Sequence, residues 1–320
     1  MMPRNRLSSL LLAAGLLMLS ACGPSDGPAP DEQAAADAGP AAGADEAAAG
    51  ERLDAVLAAQ PTAVRARYPY RHPKETLRFF RIEPGMSVVE VLPGGGWYSK
   101  ILLPYLGSDG RLIGADYAID MWPKFGFYDD EALAAKAQWT ETWPAQAGDW
   151  AGEDGAAVAA FNLGELPAGL AGSADAMLMV RALHHLARFE DAGGYLTEAL
   201  ASAREVLRAG GLVGVVQHRA PADAPDDWAD GSAGYLKESF VIDRFEAAGF
   251  ELVARSEINS NPQDEPTPED IVWRLPPTLM TSQDNPDAMA AFEAIGESDR
   301  MTLLFRKPAA GGQTGVAQLD

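Results

Sequence analysis

Three groups of residues in this 320-residue chain have the chemistry and spacing to build a ligand site. The first is Ser87-Val88-Val89-Glu90-Val91-Leu92-Pro93-Gly94-Gly95-Gly96-Trp97-Tyr98-Ser99: a β-branched run ending in an acid, a glycine-rich turn, then helix-compatible residues. A strand, a tight glycine turn and a helix in that order let a backbone approach a nucleotide-like ligand closely. The acid at the strand end can accept a hydrogen bond from that ligand. The second group is Asp116 and Asn162, each closing an apolar run. The third is the adjacent pair His184 and His185. Imidazole titrates near neutral pH, so one of the pair can serve as a base on a substrate hydroxyl or as a polar pocket wall. Arg181, His72 and His218 are weaker candidates that read better as satisfied structural groups.

Several chemistries are excluded. A dinucleotide fingerprint needs a third glycine where Ser99 stands, and bulky Trp97 and Tyr98 open the helix. The Gly-Lys-Ser/Thr of a phosphate loop is absent, as are CxxC and HExxH patterns, so no metal is expected.

Alternating elements must position these groups. Helices are expected over Leu53–Ala66, Pro73–Phe80, Trp97–Leu106, Asp130–Ala137, Tyr195–Leu207 and Lys237–Ala248. Strands are expected over Ser87–Val91, Arg111–Ala115, Ala156–Phe161, Asp175–Val180, Leu212–Gln217, Glu251–Glu257 and Met301–Phe305. Asp116 to Trp150 reads as a long, Trp-rich connection. Strands separated by helix-length connections imply an α/β fold: a Rossmann-like, doubly wound, mostly parallel seven-stranded sheet with helices on both faces. Ligands then sit beyond the carboxyl ends of the strands, where the polar groups above converge.

The ends carry a different message. Arg4 and Arg6 precede an apolar run, Leu7–Leu19, too short for a spanning helix, which needs about 20 residues. Leu19-Ser20-Ala21-Cys22 closes the segment, and Cys22 is the only cysteine. Residues 1–22 thus resemble a bacterial lipoprotein signal with Cys22 as the lipidated residue; an ordinary secretory signal is the alternative. Residues 23–50 have an acidic Ala/Gly/Pro composition that favours a disordered tether, with a partly helical spacer as the alternative. Residues 51–310 form the folded domain and 311–320 a flexible tail. The whole chain carries 25 basic and 46 acidic residues, net −21. Such a balance disfavours nucleic acid and anionic lipid as partners, so membrane attachment is expected through the lipid anchor alone. Small, uncharged or hydrophobic molecules suit it better as substrates. Oligomeric state is open.

Beyond these readings, the residues resemble the class I S-adenosylmethionine-dependent methyltransferases, from about Glu75 to Lys307. Their first motif is acid-x-Gly-x-Gly-x-Gly. Glu90 and Gly94 and Gly96 match it, and Leu92 takes the first glycine's place. Asp116 matches the acid that closes their second strand and binds the ribose. Asn162 stands where a polar residue lies near the adenine. Asp175–Leu186 looks like their fourth-strand segment with its His-His pair, and Val206–Leu212 like their Leu-x-Pro-Gly-Gly turn. The resemblance implies an S-adenosylmethionine cofactor held by Glu90, Gly94, Gly95, Gly96, Asp116 and Asn162, with His184 or His185 as the catalytic candidate. Trp97 and Tyr98 are expected either on the sulfonium side or in the core. A nearer likeness is to a family of predicted bacterial methyltransferases with export signals, through Arg71–Leu77, Pro93–Tyr98 and Ala294–Met301. Gly23 after the cysteine is not the acid linked to inner-membrane retention in some bacteria, which points to anchoring on the periplasmic side of the outer membrane. A non-catalytic lipoprotein that uses the same fold as a binding or scaffold module is the rival expectation.

Overall fold

The computed structural model describes residues 40–309, with side chains from 45 onward. The chain divides into the units Met1–Ala44 and Asp45–Asp320, and the sheet lies in the second. The expected signal with Cys22, residues 23–39 and the tail 311–320 lie outside the described residues. No helix among the described residues is long and apolar enough to cross a membrane.

Among the described residues four helices precede the sheet: α1 (Pro40–Ala59), α2 (Thr62–Arg65), α3 (Tyr68–Arg71) and α4 (Pro73–Phe79). Then come β1 (Ser87–Val91), α5 (Ser99–Leu106), β2 (Arg111–Asp116), α6 (Asp130–Ala137), α7 (Trp139–Ala151) and β3 (Ala157–Asn162). β4 (Ala174–Val180), α8 (Leu183–Arg188), α9 (Glu190–Gly193), α10 (Tyr195–Val206) and β5 (Leu207–His218) come next. The chain finishes with α11 (Glu238–Ala247), β6 (Glu251–Ser256), α12 (Pro286–Ile295) and β7 (Arg300–Arg306). The strands form one seven-stranded sheet in the order β3-β2-β1-β4-β5-β7-β6. β1 to β5 are parallel, and β7 runs antiparallel to both β5 and β6. This is the doubly wound, mostly parallel α/β sheet that the alternation of elements implies.

Strand side chains alternate between two buried layers. On one face Val89, Ile113, Met177 and Val213 pack under Leu196 and Leu200 of α10 and Phe245 of α11. On the other, Val88, Leu112, Ala176 and Leu178 meet Leu53 of α1, Leu77 of α4, Ile101 of α5 and Trp143 of α7. Trp143 is 1% exposed and sits so close over β2 that a Cβ at Gly114 would lie 2.7 Å from its ring.

Two expectations change. α1 begins at Pro40 rather than Leu53, so residues 40–50 of the stretch whose composition favours a disordered tether are helical. Ala and Glu are strong helix formers, and the helix is held where Leu53 and Leu57 bury into the core. It stops at Ala59, ahead of Pro61, instead of running to Ala66. α7 is a helix inside what reads in sequence as a Trp-rich connection. Pro144 and Gly148 obscure it, yet Trp139, Trp143, Ala147 and Trp150 recur at helical spacing.

Strand order fixes where a ligand can sit. The chain winds one way from β1 to β2 and β3 and the other way to β4 and β5. The resulting switch point leaves a crevice beyond the carboxyl ends of β1 and β4.

Candidate functional site

A cavity of about 400 Å3 occupies that crevice. Leu92 to Gly95, after β1, form one wall, and Arg181, His184 and His185, after β4, form another. Trp273 and Glu297-Ser298, from later loops, complete it.

Backbone shape at the turn explains the glycine pattern and its exception. Leu92, Gly94 and Gly96 all have positive φ, at 52°, 55° and 74°. All three glycine seats of the motif are therefore left-handed here, and Leu92 occupies the first at a cost of roughly 1–2 kcal/mol. Its N–H donates to the carbonyl of Ala115 (2.8 Å), which ties the turn to the end of β2. The glycines then serve different ends. A Cβ at Gly95 would meet open space, so that position faces the crevice. At Gly96 it would lie 2.1 Å from the Trp150 ring, so that position is closed by α7.

Glu90 does not line the cavity. It is 5% exposed, accepts a hydrogen bond from Ser99 Oγ (2.6 Å) and so ties β1 to the first turn of α5. Burial pushes its carboxyl up to about 8. Tyr98 is likewise buried, whereas Trp97 lines the cavity, donates to the Val64 carbonyl and carries the Arg71 guanidinium 4.7 Å from its ring centroid.

Asp116 closes β2 as expected, but its carboxylate is engaged. It is 1% exposed and accepts from Lys136 Nζ of α6 at 3.0 Å. The ammonium also lies 3.5 Å from the centroid of the Trp122 ring. Tyr117, Trp122 and Phe125 cluster beside it. Burial raises the Asp116 carboxyl above its ordinary range, and Lys136 opposes that shift. Asn162 is 4% exposed and donates to the Tyr117 carbonyl (2.8 Å), which fixes the backbone after Asp116. Neither Asp116 nor Asn162 lines the cavity in this conformation.

The histidine pair stands on α8, and its hydrogen bonds fix both tautomers. Gln217 Nε2 donates to the Gly234 carbonyl (3.0 Å), so its Oε1 accepts from His184 Nδ1 (3.3 Å). Tyr117 Oη donates to the Ala182 carbonyl (2.8 Å), so it accepts from His185 Nδ1 (3.2 Å). Each ring therefore carries its proton on Nδ1 and keeps Nε2 as a base. Burial holds His184 well below its ordinary value, and burial with nearby Arg188 holds His185 at about 4. Both are neutral at pH 7. Trp273 stacks nearly parallel on His185, at 6.1 Å. His218 bonds Ser298 Oγ through Nδ1 (2.5 Å). Although three imidazoles gather here, no group of three or more His, Cys, Asp or Glu among the described residues is arranged to hold a metal ion.

Tertiary structure adds residues that spacing does not reveal. Arg67, Arg71 and Arg300 all donate to the Glu297 carboxylate, at 2.8, 3.0 and 3.1 Å for the Nε, Nε and Nη1 contacts. Arg71, Trp97 and Glu297 come from three separate segments of the chain, and the fold brings them together, with Arg71 over the Trp97 ring and donating to Glu297. Arg181 reads in sequence as a satisfied structural group, yet its Nε is buried without a hydrogen-bond partner.

No family model matches the sequence, and no curated protein matches it. Solved structures to which the chain is similar include an S-adenosylmethionine-dependent methyltransferase from Aquifex aeolicus, 12% identical over 80% of this chain and 98% of that one, with a TM-score of 0.44. Geranyl diphosphate C-methyltransferase from Streptomyces coelicolor A3(2) is 11% identical over 74% and 77%, with a TM-score of 0.45. The cyclase SpnF is 15% identical over 75% and 80%, with a TM-score of 0.44. At these identities and TM-scores the likeness assigns neither a family nor a chemistry to this chain.

Proposed function

We propose that the chain is an S-adenosylmethionine-dependent methyltransferase acting on a small molecule. One observation carries the reading: the switch-point cavity has the open backbone of Gly94-Gly95 on one side and two neutral imidazoles on the other. Gly94 and Gly95 would hold the amino-acid end of the cofactor. Asp116 would hold the ribose once Lys136 leaves it, and Asn162 would keep the Asp116–Tyr117 backbone in place. When bound, the cofactor supplies an already activated methyl group, so positioning provides most of the rate. Trp97, Trp273 and the α8 histidines would orient the acceptor and exclude water. Nε2 of His184 or His185 would take the proton that the acceptor releases. The low basicity of both rings suits an acceptor proton already acidified by its surroundings.

A second reading has its own support. The burial of Asp116 under Lys136 favours a binding or scaffold module that keeps the fold without turnover. Calorimetric titration of the purified full-length chain with S-adenosylmethionine and S-adenosylhomocysteine separates the two. Micromolar binding of both, abolished by Asp116→Ala, is the expected result; absence of binding leaves the module as the answer.

The proposal includes export and anchoring through a lipid on Cys22, on the periplasmic side of the outer membrane. Metabolic labelling with a palmitate analogue should mark the wild type and not Cys22→Ala.

A further inference from the structure

The chain is strongly acidic, at net −21, yet basic side chains gather at one side of the cavity: Arg181 and Glu297 line it, and Arg67, Arg71 and Arg300 pack behind on Glu297. Four guanidinium groups, from Arg67, Arg71, Arg181 and Arg300, surround the single carboxylate of Glu297, and each of the four lies close enough to shift its titration. That carboxylate is saturated. Its Oε1 accepts from Arg67 and Arg71, and its Oε2 from Arg71 and Arg300. Nothing is left for Arg181. Among the described residues no carboxylate lies within 4.0 Å of its guanidinium, and its buried Nε finds no acceptor.

The backbone of Arg181 is equally unusual. It is left-handed, with φ 56°, and its N–H donates to the Val216 carbonyl (2.7 Å). A non-glycine residue held in that region at the end of β4 fixes the side chain's starting direction, and the side chain borders the cavity. A half-buried guanidinium whose one nearby carboxylate is already taken by other donors is costly to hold, and the cost falls when an anion pairs with its planar fork. Arg71, Arg181 and Arg300 are all held below the ordinary arginine range, first by burial and with a contribution from one another's charge, the direction a further anion would reverse.

We propose that the acceptor substrate carries an anionic group, a carboxylate or a phosphate, that pairs with Arg181 in the switch-point cavity. This rests on the methyltransferase reading, and it replaces the uncharged acceptor that the overall charge suggests. The cavity, about 400 Å3 and walled by Trp97 and Trp273, matches a small aromatic or apolar anion rather than a polymer. An anion beside the α8 histidines would also raise their basicity, toward the range a general base needs.

The test uses calorimetry on the full-length chain with benzoate and inorganic phosphate as probes and benzyl alcohol as the uncharged control. Each is titrated with and without saturating S-adenosylhomocysteine. Wild type should bind at least one anion in both conditions and bind benzyl alcohol more weakly. Arg181→Gln should weaken the anion at least tenfold and change S-adenosylhomocysteine affinity less than threefold. Arg181→Lys, which keeps the charge and loses the fork, should fall between, and thermal melts establish that both variants fold. Three results overturn the proposal: no anion binding by wild type, equal binding by Arg181→Gln, or displacement of the anion by S-adenosylhomocysteine with parallel loss of both in the variant. The last would assign the seat to the cofactor's own carboxylate. Arg181-dependent anion binding in a chain that binds no S-adenosylhomocysteine would instead refute the methyltransferase reading and leave the anion seat standing.

Discussion

Replacing Lys136 with alanine should tighten binding of S-adenosylhomocysteine. The lysine occupies the carboxylate that the cofactor's ribose would need, so binding must first break the 3.0 Å contact between Nζ and Asp116 Oδ2. A hydrogen bond between charged groups contributes about 1.5–3 kcal/mol, and the lysine's seat over Trp122 adds roughly 0.5–1 kcal/mol. Lys136 is 24% exposed, so water offsets part of this when it swings out, leaving about 1.5 kcal/mol. That corresponds to roughly tenfold in affinity. Helix α6, which bears the lysine, is lightly held: none of its residues is fully buried, and its N-terminus is capped by Asp129 at 2.9 Å. The same change leaves Asp116 buried without a cation, so the free variant should melt lower, by about 1–3 kcal/mol. Burial then raises the Asp116 carboxyl further, and titration at pH 8 keeps it better ionised. Calorimetry and thermal melts on wild type and Lys136→Ala measure both numbers. Unchanged or weaker affinity in a variant that still folds would refute the reasoning, since Lys136 would then not compete for a ribose site.

The same geometry sets other outcomes. Glu90 titrates near 8 in the fold and near 4.5 when unfolded, so the folded state holds its proton longer. Stability should therefore fall by up to about 1.4 kcal/mol per pH unit as pH rises between those values; Glu90→Gln should flatten that slope in denaturant melts from pH 5 to 9. Glu297→Gln removes the one carboxylate among three donating arginines and should cost about 3–5 kcal/mol in urea unfolding. Gly96→Ala meets both a left-handed backbone and the Trp150 ring, and should destabilise by more than about 2 kcal/mol. Adding Trp150→Ala should recover the steric share and not the backbone share, which a double-mutant cycle measures.

Much of this fold is legible because its strands are short apolar runs bounded by glycine and polar residues, as Ser87–Val91 is before the glycine turn. Where composition and context disagree, context wins: the Ala-rich stretch before Leu53 is helix because the following turns are anchored, and α7 survives Pro144 because Trp143 and Ala147 are buried in the core, with Trp139 and Trp150 partly buried beside them. Sequence motifs place the crevice on the correct edge of the sheet, and Gly94, Gly95, His184 and His185 do meet there. They do not report that Asp116 is covered, because Lys136 reaches it from a separate helix 20 residues later. Nor do they separate a saturated arginine from an unsatisfied one. Arg71 and Arg300 find Glu297, whereas Arg181 does not, and only the three-dimensional arrangement of donors around that carboxylate distinguishes them.

A crystal structure of the chain grown with S-adenosylhomocysteine tests the central claim most directly. The amino-acid end of the ligand should lie against Gly94-Gly95 and the ribose on Asp116, with Lys136 withdrawn from that carboxylate. Well-ordered crystals from a saturating soak in which Lys136 still holds Asp116 and the crevice contains no ligand would contradict it.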